Sequence, residues 1–107
     1  MNAEIKQKWI VALRSGKYQQ GFNRLRSNDK YCCLGVLCDL SGLGWWEDDD
    51  YLDTRASLPS QVIRLCDLHR EGDEVSVELG PLKKTLSSLN DAGFTFDQIA
   101  DIVEYAL

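Results

Sequence analysis

The chain has 107 residues, a length that suits one domain with a single core and needs no stapling disulfides. With 44% hydrophobic and 27% charged residues it is not a disordered polymer, and no apolar run approaches the roughly 20 residues of a membrane helix. The net charge of −5 is unevenly spread: residues 1–30 hold seven basic side chains against two acids, and residues 31–107 hold five against fifteen. Such an asymmetry predicts either neutralisation across the fold or a dipolar surface favouring head-to-tail self-association, which makes a homo-oligomer one expected assembly.

The N-terminal Met1 to Lys6 lacks the apolar core of a signal peptide, which points to the cytoplasm. Residues 3–15 read as an amphipathic helix with Ile5, Trp9, Ala12 and Leu13 on one stripe, capped by Asn2 and ended by Gly16. The segment Lys17 to Arg26 is polar and aromatic without a helical stripe. A short strand is expected at 22–26 before a turn at Ser27-Asn28-Asp29-Lys30. Tyr31 to Leu40 is the longest nearly uninterrupted apolar run and holds Cys32, Cys33 and Cys38. A run this short fits a buried strand or a buried helix; the Ser41-Gly42 stop favours a helix, preceded by a strand of two or three residues at 30–32.

Residues 43–55 read as an irregular loop carrying Trp45-Trp46 and the acid run Glu47-Asp48-Asp49-Asp50. A short helix near 59–67 follows, with Val62, Ile63 and Cys66 inward. Glu71-Gly72-Asp73 then makes a turn into a strand at 74–79. Pro81 is placed at the first position of a helix striped by Leu82, Leu86 and Leu89 and stopped by Gly93. Thr95 and Gln98 match a capping box for a last helix that turns Ile99, Ile102, Val103 and Leu107 inward. The expected fold is α+β: a compact single domain over residues 1–107, mainly helical, with a small two- or three-stranded antiparallel sheet. Its core should contain Trp9, Leu13, Leu34, Leu37, Cys38, Val62, Leu86, Leu89, Phe96, Ile99 and Val103.

Four cysteines raise three chemistries, each with a plainer competitor. Disulfides are disfavoured by the adjacency of Cys32 and Cys33 and by the missing export signal, so buried free thiols are expected. Cys66-x-x-His69 with Cys33 or Cys38 gives a conceivable metal set, but no Cys-x-x-Cys occurs, and neither metal nor cofactor is expected. A Cys–His–Asp nucleophile using His69 with Asp67 or Asp39 needs an electropositive, partly exposed thiol, which an apolar run does not offer. The acid run does not have the spacing of an EF-hand loop and reads as a solvated loop, with Trp45 and Trp46 as a hydrophobic anchor inside a charged rim.

The candidate contact patch is Arg14, Lys17, Tyr18, Gln20, Arg24 and Arg26, with Trp45 and Trp46 as a second one. Cations, amides and an aromatic face in one loop suit an acidic protein surface, a phosphate or a nucleotide. The segment is not a P-loop, because Gly16-Lys17 follows a helix C-terminus whose dipole repels anions. Duplex nucleic acid is disfavoured as a partner, since the last helix carries Asp97, Asp101 and Glu104 where a recognition helix needs basic or amide residues.

Three blocks together resemble a family of small phage and prophage proteins, most without an assigned function. They are Trp9 with Ala12-Leu13-Arg14-Ser15-Gly16-Lys17-Tyr18-Gln19-Gln20-Gly21, then Tyr31-Cys32-Cys33-Leu34-Gly35-Val36-Leu37-Cys38-Asp39-Leu40, then Leu89-Asn90-Asp91-Ala92-Gly93-Phe94-Thr95-Phe96 running on to Glu104. Residues 43–80 carry no part of it. The resemblance implies a phage setting and supplies no catalytic residue. By analogy with small acidic phage proteins, it implies action by binding: either inhibition of a host protein, such as a defence factor, or capture of a small phosphorylated ligand such as a nucleotide signal. A non-enzymatic inhibitor of a host factor is the leading expectation; a nucleotide- or phosphate-binding sponge or enzyme using the basic loop 14–26 is the alternative.

Overall fold

The computed structural model describes residues 1–68, 70, 71 and 74–107. The expected turn at 71–73 and the roles suggested for His69 fall wholly or partly outside them.

Helix α1 (Ala3–Arg14) forms where the stripe predicts it. The Asn2 side chain accepts a hydrogen bond from the Ile5 amide at 3.0 Å, and Gly16 takes the positive φ of 75° just past the end. The polar segment that follows contributes β1 (Gln19–Gln20) and β2 (Arg26–Ser27) rather than one strand over 22–26. With β3 (Lys30–Tyr31) they make a small sheet in the order β1-β3-β2, parallel on one side of β3 and antiparallel on the other. The β2–β3 hairpin turns on Asn28 and Asp29, both at positive φ, the geometry whose twist suits a two-residue hairpin.

The apolar run is helix α2 (Cys33–Ser41), stopped by Gly42 in the left-handed conformation. It starts with a sulfur cap, the Cys32 thiol accepting from the Gly35 amide at 3.4 Å. Gly35 is required here, because a Cβ at that position would lie 1.8 Å from the Leu25 carbonyl oxygen. The presumed loop at 43–55 contains a second hairpin, β4 (Trp46–Glu47) and β5 (Asp50–Tyr51), turning on Asp48-Asp49 at positive φ. Helix α3 (Ser60–Cys66) follows as expected, with Val62, Ile63 and Cys66 buried.

The largest departure comes next. Strands β6 (Arg70–Glu71), β7 (Glu74–Leu79) and β8 (Leu82–Thr85) form an antiparallel sheet, so Leu82 lies in a strand and is 58% exposed. Pro81 follows Gly80, whose φ of 64° suits the first position of a tight hairpin turn, and the proline completes that turn instead of opening a helix. The helix begins later, as α4 (Leu86–Asp91) capped by Thr85. Helix α5 (Phe96–Ala106) closes the chain with both bonds of the Thr95–Gln98 capping box in place, at 2.9 and 3.2 Å.

The α+β class therefore stands, with the strands shared among three small sheets. One continuous core joins them, containing all eleven residues expected from the sequence together with Leu25, Tyr51, Val75 and Val77. Two buried polar contacts lock it. The Trp9 indole donates to the Cys33 carbonyl at 3.0 Å, tying α1 to α2. Asn90, fully buried in α4, donates to the Gly21 carbonyl at 2.9 Å and accepts from the Cys33 amide at 3.2 Å.

Replacing Asn90 by Ala strands the Cys33 amide and the Gly21 carbonyl. We expect about 3 kcal/mol of destabilisation and a Tm lower by on the order of 15 °C in thermal unfolding, whereas an exposed control such as Ser88→Ala should stay within ~0.5 kcal/mol. Gly35→Ala should cost at least about 2 kcal/mol, measured by urea unfolding, because the obstacle is backbone and cannot rotate away.

Candidate functional site

Five of the eight residues singled out in the sequence are tied to other parts of the molecule. Arg14 reaches across to α5, with Nη2 2.6 Å from Asp101 and Nη1 3.4 Å from Glu104; the Asp101 hydrogen bond leads in raising its pKa. Arg26 lies 2.7 Å from Asp49 and stacks over the Trp46 ring at 4.9 Å. Burial is the largest single influence and opposes its charge, but the hydrogen bonds to Asp49 and Tyr31 and the charges of those partners together outweigh it, so its pKa is raised. Gln20 is structural: its Nε2 donates to the Phe94 carbonyl and to Asn90, while its Oε1 accepts from the Phe96 amide. Arg24 is half-buried at a crevice with Asn23, Cys32, Ala56, Ser87 and Asp91.

Tyr18 and Trp46 share Asp39, a residue the sequence analysis weighed only as an orienting acid. The tyrosine hydroxyl donates to Oδ2 at 2.6 Å and the indole to Oδ1 at 3.0 Å. Burial first, and then the Asp39 bond, raise the tyrosine pKa, so its hydroxyl stays protonated and donating. The rings of Tyr18, Tyr31, Trp46 and Tyr51 follow one another at 5.0, 5.6 and 4.9 Å, a tilted edge-to-face series that favours the aromatic quadrupoles. The signal was present in the sequence: Asp39 is the only acid in the apolar run.

Two surfaces remain open. The first is a groove of about 420 Å³ along α1, lined by Val11, Ala12, Tyr18 and Leu40, with Lys8, Lys17, Gln7 and Ser15 around it. Val11 is 58% exposed there although it sits in the middle of a helix. The Lys17 ammonium has no ion pair among the described residues. The second is a cleft of about 470 Å³ walled by Trp45 with Glu47, Asp48, Asp50, Leu52 and Asp53. Trp45 is 73% exposed, so the two adjacent tryptophans part: Trp46 joins the aromatic series and Trp45 faces solvent. The basic loop is thus not one patch: Arg14 and Arg26 brace the fold, Arg24 lies at the crevice, and Lys17 and Tyr18 border the groove.

The thiols are buried and unpaired. Burial pushes Cys32 and Cys66 up to about 11 and raises Cys33 and Cys38 as well, the opposite of an activated nucleophile. Among the described residues no three metal-ligating side chains converge, and His69 lies outside them. No helix in the described residues is long and apolar enough to cross a membrane.

Iodoacetamide at pH 8 should therefore modify the native protein at least ~100-fold more slowly than the urea-unfolded chain; equal rates would contradict the burial. Because the folded thiol pKa values lie above the ordinary 9.0, the thiols' contribution to stability is complete below pH 9 and fades as pH rises through 11. The urea midpoint should fall across that window, and fall less in a Cys32→Ala variant.

No curated protein and no solved structure matches this chain. The family model described as domain of unknown function DUF8296 matches residues 1–107, and the chain belongs to that family.

Proposed function

We propose that this chain is a phage-derived, non-enzymatic binding protein that inhibits a host factor, such as a defence protein, in the bacterial cytoplasm. The observation that carries this reading is the α1 groove, where Val11, Ala12, Tyr18 and Leu40 present an apolar floor to solvent beneath Lys8 and Lys17. Val11 alone would be an ordinary exposed apolar side chain; its continuity with Tyr18 and Leu40 under a polar rim is what suits an interaction surface. The partner that fits is a protein segment with an apolar anchor and flanking carboxylates. The resemblance of three sequence blocks to phage and prophage proteins is what suggests the setting, and the shielded thiols support binding over covalent chemistry.

The phosphorylated-ligand alternative is weakened by the same geometry. Arg14 and Arg26 already hold carboxylates, which leaves Lys17 and the half-buried Arg24 as the cations of that loop without an ion pair among the described residues.

Affinity capture from lysate of a susceptible host tests the proposal. Wild type should retain a specific protein that Val11→Glu and Lys17→Glu each lose by tenfold or more, with helical content unchanged by circular dichroism. Equal capture by all three removes the groove from the mechanism. Nucleotides at millimolar concentration should leave the Tm unchanged; a rise of several degrees would favour the phosphorylated ligand instead.

A further inference from the structure

We infer that the same groove takes Trp45 of a second copy, so that the chain self-associates through a knob and a socket it carries itself. The inference rests on reading the groove as a binding surface, as the proposed function does, but on no host partner.

The groove selects by its lining. Its floor is Val11, Ala12, Tyr18 and Leu40, and its nearest charges are Lys8 and Lys17. A volume of about 420 Å³ falls within the ~300–1,000 Å³ range of clefts that enclose one small apolar group. The ligand chemistry is therefore an aromatic or branched side chain with carboxylates beside it. This chain exposes that combination at Trp45, whose indole is 73% open and shares its loop with Glu47, Asp48 and Asp53. Leu43, 43% exposed, extends the apolar surface two residues away.

Charge complementarity points the same way. Arg14 and Arg26 are paired within the molecule, with Asp101 and Glu104 and with Asp49 respectively. Among the charges left on the surface, Lys8 and Lys17 rim the groove, and Glu47, Asp48 and Asp53 rim the knob. Lys8 lies 3.6 Å from Glu4, but both side chains are mostly exposed, and a pair of that kind competes weakly. Tryptophan is the residue that most often dominates a small interface, because it buries a large rigid surface with few rotatable bonds. A contact built on one anchor is small and weak, so the association should depend on concentration and salt.

Sedimentation velocity on the purified chain alone tests this from roughly 1 μM to 1 mM. The apparent mass should climb above 12.1 kDa with concentration, and the rise should shrink in high salt. Trp45→Ala and Val11→Glu should each hold the protein at the monomer mass. Charge exchange supplies the decisive arm. Lys8→Glu/Lys17→Glu carries an acidic socket, and Glu47→Lys/Asp48→Asn/Asp53→Asn a basic knob, with asparagine chosen because positions 48 and 53 have positive φ. Each variant alone should stay monomeric, and an equimolar mixture should associate. Wild type at 12.1 kDa throughout, or association unaffected by Trp45→Ala, overturns the inference. Host-lysate capture by a chain that stays monomeric would show the groove serving an outside partner only, so the two readings fail separately.

Discussion

Asn90 is buried without exposed surface, and its amide bonds Gly21, Gln20 and Cys33, which lie 69, 70 and 57 residues away along the chain. Everything functional is positioned from that point. The Cys33 amide is the first turn of α2, and the carbonyl of the same residue receives the Trp9 indole of α1. Gln20 continues the linkage to Phe94 and Phe96, fixing the entry to α5. A neutral hydrogen bond adds only about 1 kcal/mol, but an unmet buried amide costs ~1–3 kcal/mol, so the network specifies one arrangement more than it strengthens it. Helices α1 and α2 are thereby held at the spacing that leaves Val11, Ala12 and Leu40 open beside Tyr18.

The charge asymmetry of the sequence is partly resolved inside the molecule. Arg14 of the basic third meets Asp101 and Glu104 of the acidic remainder, Lys6 donates to the Glu104 carbonyl, and Arg26 meets Asp49. Exposed pairs of this kind add little stability singly, and the better-buried Arg26 is also held by the Trp46 face. Their effect on function is subtractive: they occupy Arg14 and Arg26 with carboxylates, and leave Lys8 and Lys17 around an apolar floor.

Legibility in the sequence followed the length of each element. Helices α1 and α5 were readable from a stripe of eight or more residues and from caps such as Thr95–Gln98, α2 from its Ser41-Gly42 stop, and the seven-residue α3 from the inward set Val62, Ile63 and Cys66. Strands of two residues have no period to read, so β1, β2, β4 and β5 could be sought only through their turns. Asn28-Asp29 and Asp48-Asp49 were such signals, each a residue pair that tolerates positive φ, but the second was masked by reading four acids as a solvated loop. Pro81 fitted two rules at once, and Gly80 before it favoured the hairpin. For the site, the sequence showed which residues carry charge but not which were taken. Arg14 lies 87 residues from Asp101, and no local pattern announces such a pairing.

The acid run joins these levels. Asp48 and Asp49 serve the backbone first, turning the hairpin that carries Trp46 into the aromatic series beside Tyr31 and Tyr51. Strand alternation then fixes the neighbour: with Trp46 held against the body by Asp39 and Arg26, Trp45 is directed away from it. Leu52 at φ 49° and Asp53 at φ 68° form a further tight turn, and a Cβ on Gly44 would lie 2.7 Å from the Leu52 side chain, so these loops pack closely. An exposed indole on a closely packed hairpin binds at a smaller entropic cost than one on a flexible loop, because little backbone order remains to be imposed. The carboxylates around it follow from turn chemistry as well as from solubility. The physical requirement that shaped the hairpin therefore also gave the exposed indole its acidic surround.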